Sequence, residues 1–336
     1  MKNKLFIISN EKIFKENENF YCDNIDIKSI PEELDKKFDV TLIGRKSKER
    51  RAKHINIKDI KVSKNYLNSL RLISQTIKSQ NRKYLVISIS PFTFISIIYL
   101  KLLRQKVFLY LRSDGFEEYK SILGFFGPWV YGLMFFLSSK FTKLIACRSR
   151  ILKGKKGVLV NPSQLNHKWH ENYKPPNLDK IKLLYVGRLR IEKGIFSLFE
   201  IIKKTSFDLT VVTSEIKLNV KNEFSNINLI SYKNTEDSII KFYDECNIFI
   251  LPSYTEAHPQ VLDEALARLR PVIIFKEISH VERDRKGIFV TGRNQISLED
   301  KINYIKENYF KIQEEMKFNK LPSKKNFIKQ LENILF

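Results

Sequence analysis

Two short segments combine residue types suited to an anionic, hydroxyl-rich ligand. The first is Gly187-Arg188-Leu189-Arg190-Ile191-Glu192-Lys193-Gly194. Gly187 permits a tight turn where a ligand can approach the backbone. Arg188 offers a planar fork of donors matched to phosphate oxygens. Lys193 adds a point charge at a helix start, where backbone N–H groups also favour anions. The segment is neither a P-loop nor a GxGxxG turn, and a basic βα loop taken alone is more often just solvated. The second segment runs from Leu251 to Ala265 and contains Glu256 and Glu264. Pro259 fits the first helical position, with His258 just before it. Glu256 then sits in the loop, and Glu264 lies inside the helix. Carboxylates only accept hydrogen bonds, which suits sugar and ribose hydroxyls. As bare spacing, the pair also fits surface salt bridging.

The elements that must position these residues follow from the apolar runs. In the first half, strands are predicted at 4–8, 39–43, 84–90, 106–111 and 143–147, with helices near 65–80, 92–104 and 117–140. The runs are continuously apolar, as in strands buried on both faces. Residues 161–180 are polar and hold three prolines, which predicts a linker. A second series follows, with strands at 181–186, 208–213, 227–231, 247–251 and 271–275. Its helices fall near 193–204, 235–245 and 259–269, with closing helices at 297–316 and 321–335. Strand–helix repetition of this kind implies an α/β architecture of two Rossmann-like domains in tandem with an intervening cleft. The boundaries are 1–160, a linker at 161–180, 181–318, and a C-terminal helix at 319–336 that packs back on the first domain. Ligands of such sheets bind beyond the carboxyl ends of the strands, where both segments fall.

The chain has 336 residues and a net charge of +23, unevenly spread. Residues 51–170 hold 22 Lys/Arg against four acids, a net +18, whereas 201–300 carry −2. A basic half of this kind faces an anionic partner, and the choice lies between a membrane surface, nucleic acid and phosphorylated substrates. Between Lys120 and Lys140 run 19 uncharged residues, SILGFFGPWVYGLMFFLSS. Three glycines, Pro128 and the position between two strands argue against a spanning helix. Buried core and docking on an anionic leaflet both remain open for this stretch and for 92–106. The rival class is a nucleic-acid-binding protein using the 51–170 surface, but no base-stacking pattern or binding motif accompanies it. Cys22, Cys147 and Cys246 form no CxxC pair, which predicts a reducing, cytoplasmic setting. The short apolar run 5–8 predicts a first strand, not a signal peptide. His167 and His170 have no acidic or cysteine partners nearby and read as linker residues, so no metal site is expected.

Taken together, LLYVGRLRIEKGI and DECNIFILPSYTEAHPQVLDEALARLRPVII resemble the retaining GT-B glycosyltransferases of the family-4 type, the glycosyl transferases of group 1. The likeness covers about 90 residues of the second half; the first half matches only in its strand–helix rhythm. It implies a metal-independent, retaining hexosyltransferase with no cofactor beyond its UDP- or GDP-linked sugar donor. Arg188 and Lys193 match the pair that holds the donor diphosphate. Glu256 matches the glutamate that contacts the transferred sugar, and Glu264 the one that holds the ribose. Backbone amides near Ala257 and His258 would face sugar and phosphate. Arg112 and Asp114 follow strand 106–111, where the first domain should face the cleft. Asp114 is a candidate to orient or deprotonate the acceptor hydroxyl, and equally an N-cap before Gly115. The implied acceptor is a lipid-linked or cell-surface glycan precursor, with the enzyme peripheral on the inner face of the cell membrane. The chain departs from the family pattern at Leu269 and Arg270, where a glycine usually precedes the PV dipeptide. Thr213-Ser214-Glu215 and Ser9-Asn10 likewise replace glycine-rich turns.

Overall fold

The computed structural model describes residues 2–213, 225–231 and 236–336. The loop at Ser214-Glu215 lies outside the described residues. The chain divides into two compact units, one of Met1–Asn161 with Lys325–Phe336 and the other of Pro162–Lys324.

The first unit is built on a nine-stranded sheet. Its strands are β1 (Lys4–Glu16), β2 (Asn19–Cys22), β3 (Asp39–Lys46), β4 (Lys53–Ile55), β5 (Asp59–Ser63), β6 (Arg82–Ile87), β7 (Val107–Leu111), β8 (Thr142–Ala146) and β9 (Gly157–Leu159). The parallel part runs in the order β5-β3-β1-β6-β7-β8-β9. Leu5, Ile7 and Ile8 of β1 have no exposed surface, because helices cover both faces. β1 continues past the apolar run through Asn10–Glu16 and pairs antiparallel with β2, which pairs with β4. This ribbon is partly exposed and β2 and β4 are only four and three residues long, so the apolar pattern gave no sign of it.

Helix α1 (Ile25–Leu34) follows β2, and α2 (Tyr66–Thr76) follows β5. Helix α3 (Pro91–Leu102) starts on a reciprocal cap: Thr93 N donates to Ser90 Oγ at 3.3 Å, and Ser90 N donates to Thr93 Oγ1 at 2.8 Å. The predicted helix 117–140 is two helices, α4 (Gly115–Leu123) and α5 (Gly127–Phe141). They are separated by a short turn at Gly124, whose φ of +61° a helix cannot hold.

The second unit carries a six-stranded parallel sheet in the order β12-β11-β10-β13-β14-β15. The strands are β10 (Lys182–Val186), β11 (Asp208–Thr213), β12 (Ile227–Ser231), β13 (Ile248–Leu251), β14 (Val272–Phe275) and β15 (Ile288–Thr291). Its helices are α6 (Ile195–Ile202), α7 (Glu236–Glu245), α8 (Gln260–Ala267), α9 (Gln295–Glu307) and α10 (Tyr309–Met316). The last helix, α11 (Lys324–Leu335), sends Phe327, Ile328, Leu331 and Leu335 into the core of the first unit. Lys37 Nζ pairs with Glu332 there at 2.7 Å.

The stretch 161–180 is not a free linker. Trp169 is buried in the second unit's core, edge-on to Tyr243. Two arginines hold the segment. Arg268 donates to the carbonyls of Trp169, Glu171 and Asn172 and pairs with Asp244 at 2.8 Å. Arg270 donates to the carbonyls of Lys174, Tyr243 and Asp244. Both side chains are buried, so their charges persist only because their donors are matched. This accounts for basic residues where the related pattern favours glycine. Leu269 between them adopts φ +54°, a conformation usually left to glycine.

Candidate functional site

In the second sheet, β10 pairs with β11 on one side and with β13 on the other. The direction of winding reverses between β10 and β13. A parallel sheet opens a crevice beyond the carboxyl ends of its strands at such a point, because the flanking helices depart to opposite faces. The turn after β10 is Gly187–Gly194, and the turn after β13 is Pro252–Pro259. Both motif segments therefore meet at one place.

They touch. Gly194 has φ +65°, and a Cβ there would lie 1.9 Å from the Pro252 carbonyl oxygen, so no other residue fits without movement. Tyr254 N donates to Glu192 O at 3.0 Å. Lys193 Nζ lies 2.7 Å from Glu256 Oε1, which also accepts from Ser253 Oγ at 2.7 Å. The Glu256 side chain is largely buried and that of Lys193 partly so. A shielded pair of this kind is worth more than a surface one. It fixes a cation and a carboxylate side by side.

Arg188 is exposed at the mouth of its turn, and its carbonyl accepts from Tyr185 Oη at 2.7 Å. Glu264 lies on α8 and accepts from Tyr243 Oη at 2.8 Å. Helix α8 begins at Gln260 with Pro259 as its N-cap, one residue later than the sequence pattern predicts. The His258 side chain is buried, with Nε2 lying 3.2 Å from Asp263 Oδ2. Asp263 also pairs with Arg285, whose guanidinium burial pulls its pKa down while the carboxylate opposes this. His280 Nε2 lies 2.9 Å from Glu256 O. Ala257 sits between these anchored neighbours, partly exposed.

Sequence reasoning missed Arg293. Its guanidinium donates to Pro252 O at 2.9 Å, Ser197 Oγ at 2.8 Å and Glu277 Oε1 at 2.8 Å. It stacks on the rings of Tyr254 and Phe275. It thus ties the start of α6 to the turn that carries Glu256. The Arg293 hydrogen bond holds the Glu277 carboxyl below the usual range, although burial works against it. Tyr243 and Arg285 were missed too, because only folding brings them to the motif, and Asp263 inside the motif was passed over because its partner Arg285 lies 22 residues further on.

Asp114 lies in the first unit. Its carboxylate accepts from Phe116 N at 3.1 Å, capping α4, and pairs with Lys153 at 3.2 Å. Arg112 pairs at 3.1 Å with the buried Asp26. His167 and His170 are exposed in a single short turn. Burial pushes the Cys22 and Cys246 thiols up to about 12 and that of Cys147 to about 11, so none is a nucleophile at neutral pH.

Fold and site together define a two-unit GT-B protein with a basic and acidic pair at the switch point of its second sheet. Residues 168–321 match the family model of glycosyl transferases group 1. The N,N'-diacetylbacillosaminyl-diphospho-undecaprenol alpha-1,3-N-acetylgalactosaminyltransferase of Campylobacter jejuni is 25% identical over 144 residues. That match spans 40% of this chain and 38% of the Campylobacter enzyme. Among solved structures, a sucrose-phosphate synthase from Thermosynechococcus elongatus superposes with a TM-score of 0.70 at 14% identity, covering 99% of this chain and 98% of the other. A glycosyltransferase from Rickettsia africae gives 0.65 at 17% identity, over 99% and 98%. An Anabaena protein solved in complex with UDP gives 0.68 at 12%, over 100% and 99%. These likenesses establish the GT-B fold.

Proposed function

We propose that this protein transfers a sugar from a nucleotide-linked donor to an acceptor hydroxyl, with retention of configuration. The observation that carries the proposal is the Lys193–Glu256 pair at the switch point of the second sheet. Arg188 and Lys193 hold the donor diphosphate. Negative charge grows on the departing phosphate, and fixed cations beside it lower the barrier. Glu256 accepts hydrogen bonds from the transferred sugar, and its bond to Lys193 keeps it oriented. Glu264, steadied by Tyr243, accepts from the ribose hydroxyls. The backbone at Ala257 and His258 faces the sugar and phosphate. No metal takes part in these steps, and the donor is the only small molecule required, with UDP or GDP as its carrier. The Anabaena protein was solved in complex with UDP, which supports the same class of donor here.

The acceptor is a lipid-linked or cell-surface glycan precursor bound by the first unit. The name of the Campylobacter enzyme, whose substrate is undecaprenol-linked, supports this reading. A lipid-linked acceptor keeps its hydroxyl at the membrane–water interface. The enzyme accordingly works on the cytoplasmic face of the cell membrane. In that setting Asp114 stays the candidate to orient the acceptor, once Lys153 yields its carboxylate.

The test is nucleotide affinity. Arg188→Ala should weaken binding of UDP or GDP by about ten- to a hundredfold, as expected for loss of charge-assisted hydrogen bonds. Unchanged affinity by calorimetry would remove the phosphate role.

A further inference from the structure

Helix α5 is apolar on two faces. Its inner face packs Tyr131, Met134 and Phe135 into the first unit. Its outer face presents Trp129, Val130, Leu133 and Phe136 to solvent, three and four residues apart along the helix, and Phe126 in the turn before it continues the row. Ile122, Leu123 and Phe125 at the end of α4 extend the same patch. Phe125 is 90% exposed, Trp129 77%, Ile122 71% and Phe126 70%. A contiguous patch of this kind marks an interaction surface.

The geometry of the hairpin fixes where the patch points. Gly115, which follows the carboxyl end of β7, lies against Tyr131: a Cβ there would meet the ring at 2.0 Å. Gly127 lies against the Tyr119 carbonyl. Helices α4 and α5 therefore run antiparallel, and the apex 122–130 extends beyond the carboxyl edge of the sheet. That is the edge at which parallel sheets take their ligands.

The whole stretch Gly115–Phe141 is long and apolar enough to cross a bilayer by composition, yet only 28% of its most apolar window is buried. It does not cross. Gly124 breaks it, the two halves fold back on each other, and α5 alone is about 22 Å long at ~1.5 Å per residue. A hydrocarbon core needs about 30 Å. The far end of α5 also leads directly into β8, inside the sheet.

The charge around the patch selects the occupant. Residues 115–156 hold eight Lys/Arg against Glu117 and Glu118. Lys140 Nζ lies 4.1 Å from the centre of the Phe136 ring, and Lys155 Nζ 5.6 Å from it. Such lysines can lay their stems along the apolar surface and keep their charges at its rim. A second copy of this chain would bring the same positive rim against itself, which repels. An anionic leaflet matches both the apolar face and the rim.

We propose that the α4–α5 apex docks this protein in one leaflet of an acidic phospholipid bilayer without spanning it. Phe125, Phe126 and Trp129 enter the interface and Lys140 and Lys155 contact headgroups. The proposal rests on the reading of the first unit as the acceptor-binding half only for its purpose, since it sets the ligand edge against the lipid surface.

The experiment is co-sedimentation of the full chain with vesicles of phosphatidylglycerol and phosphatidylcholine, against phosphatidylcholine alone. Binding should require the acidic lipid and fall with salt. Brominated phospholipid should quench Trp129; Trp169, the other tryptophan, is buried in the second unit and should stay bright. Phe126→Ser with Trp129→Ser should weaken binding by about tenfold or more, with an unchanged melting temperature. Lys140→Glu with Lys155→Glu should remove the preference for acidic lipid. Unaltered vesicle binding in both double variants, or absence of Trp quenching, would overturn the proposal. So would a concentration-dependent dimer abolished by the serine variants, which would assign the patch to a second copy. Retention in cell membranes after alkaline washing would indicate a spanning segment and overturn it too. UDP affinity of the wild type and the serine double variant is measured in parallel. Its absence in the wild type would fault the donor-site reading and leave the docking result standing.

Discussion

The two units solve opposite problems with the same α/β elements. In the second, the turns beyond the sheet are tied together at every step: Gly194 against Pro252, Lys193 to Glu256, Arg293 from the start of α6 to Pro252, and Tyr243 to Glu264. In the first, the apolar helix α5 is left with one face uncovered. The second unit is near neutral over 201–300, whereas 51–170 carries +18. The difference teaches that bulk charge and local chemistry are separate devices. A small ligand needs a few groups held still, while a broad surface needs many groups held loosely.

The sharpest way to break this comparison is Glu256→Ala. It should lower sugar transfer by about a thousandfold, the scale of losing a group aimed at the reacting sugar. The melting temperature should fall modestly with the loss of the Lys193 and Ser253 bonds, the protein should stay folded, and vesicle binding should not change. An active variant would show that the tied site is only structural.

Arg268→Ala should cost about 3–5 kcal/mol, because it leaves Asp244 buried and unpaired and strips donors from three carbonyls. Thermal unfolding should show the loss in the second unit. A change below about 1 kcal/mol would mean that segment 161–180 is held by packing alone.

Gly194→Ala should cost about 2–3 kcal/mol from its positive φ and the Pro252 contact, and should lower nucleotide affinity as the two turns part. Full stability with intact binding would show that the turns can separate harmlessly.

The smallest effect concerns acid. Partial desolvation of one side of the ring, and then the charge of Arg268, lower the pKa of His170 below its ordinary 6.5. The unfolded chain then binds the proton first, so stability is full above about pH 6.5 and declines as pH falls toward the folded-state value. His170→Gln should flatten that decline slightly, measured by denaturant titration at pH 7 and pH 5. An identical slope in both proteins would place the acid response elsewhere.

Much of the fold was legible because buried parallel strands are continuous apolar runs. β10, β11, β12, β13 and β14 fall within a residue of their predicted positions. The ribbon of β2 and β4 was not legible, because strands of four and three residues leave no period. Segment 161–180 looked like a linker for the same reason, since its anchor is Trp169 and its fasteners are arginines about a hundred residues away. Of the candidate site, Arg188, Lys193, Glu256 and Glu264 stood out by type and spacing. Tyr243, Asp263, Arg285 and Arg293 did not, because each acts through a partner distant in sequence.

The sequence alone determined the alternation of strands and helices, the split of charge along the chain, and the identity of the cation and carboxylate at the two turns. These are local properties of residue type and period. Only the tertiary structure decided that the two turns meet at the switch point, that Lys193 and Glu256 stand 2.7 Å apart, and that the 121–139 stretch turns one apolar face outward. Strand order and helix facing depend on which elements pack together, and no local pattern encodes that choice.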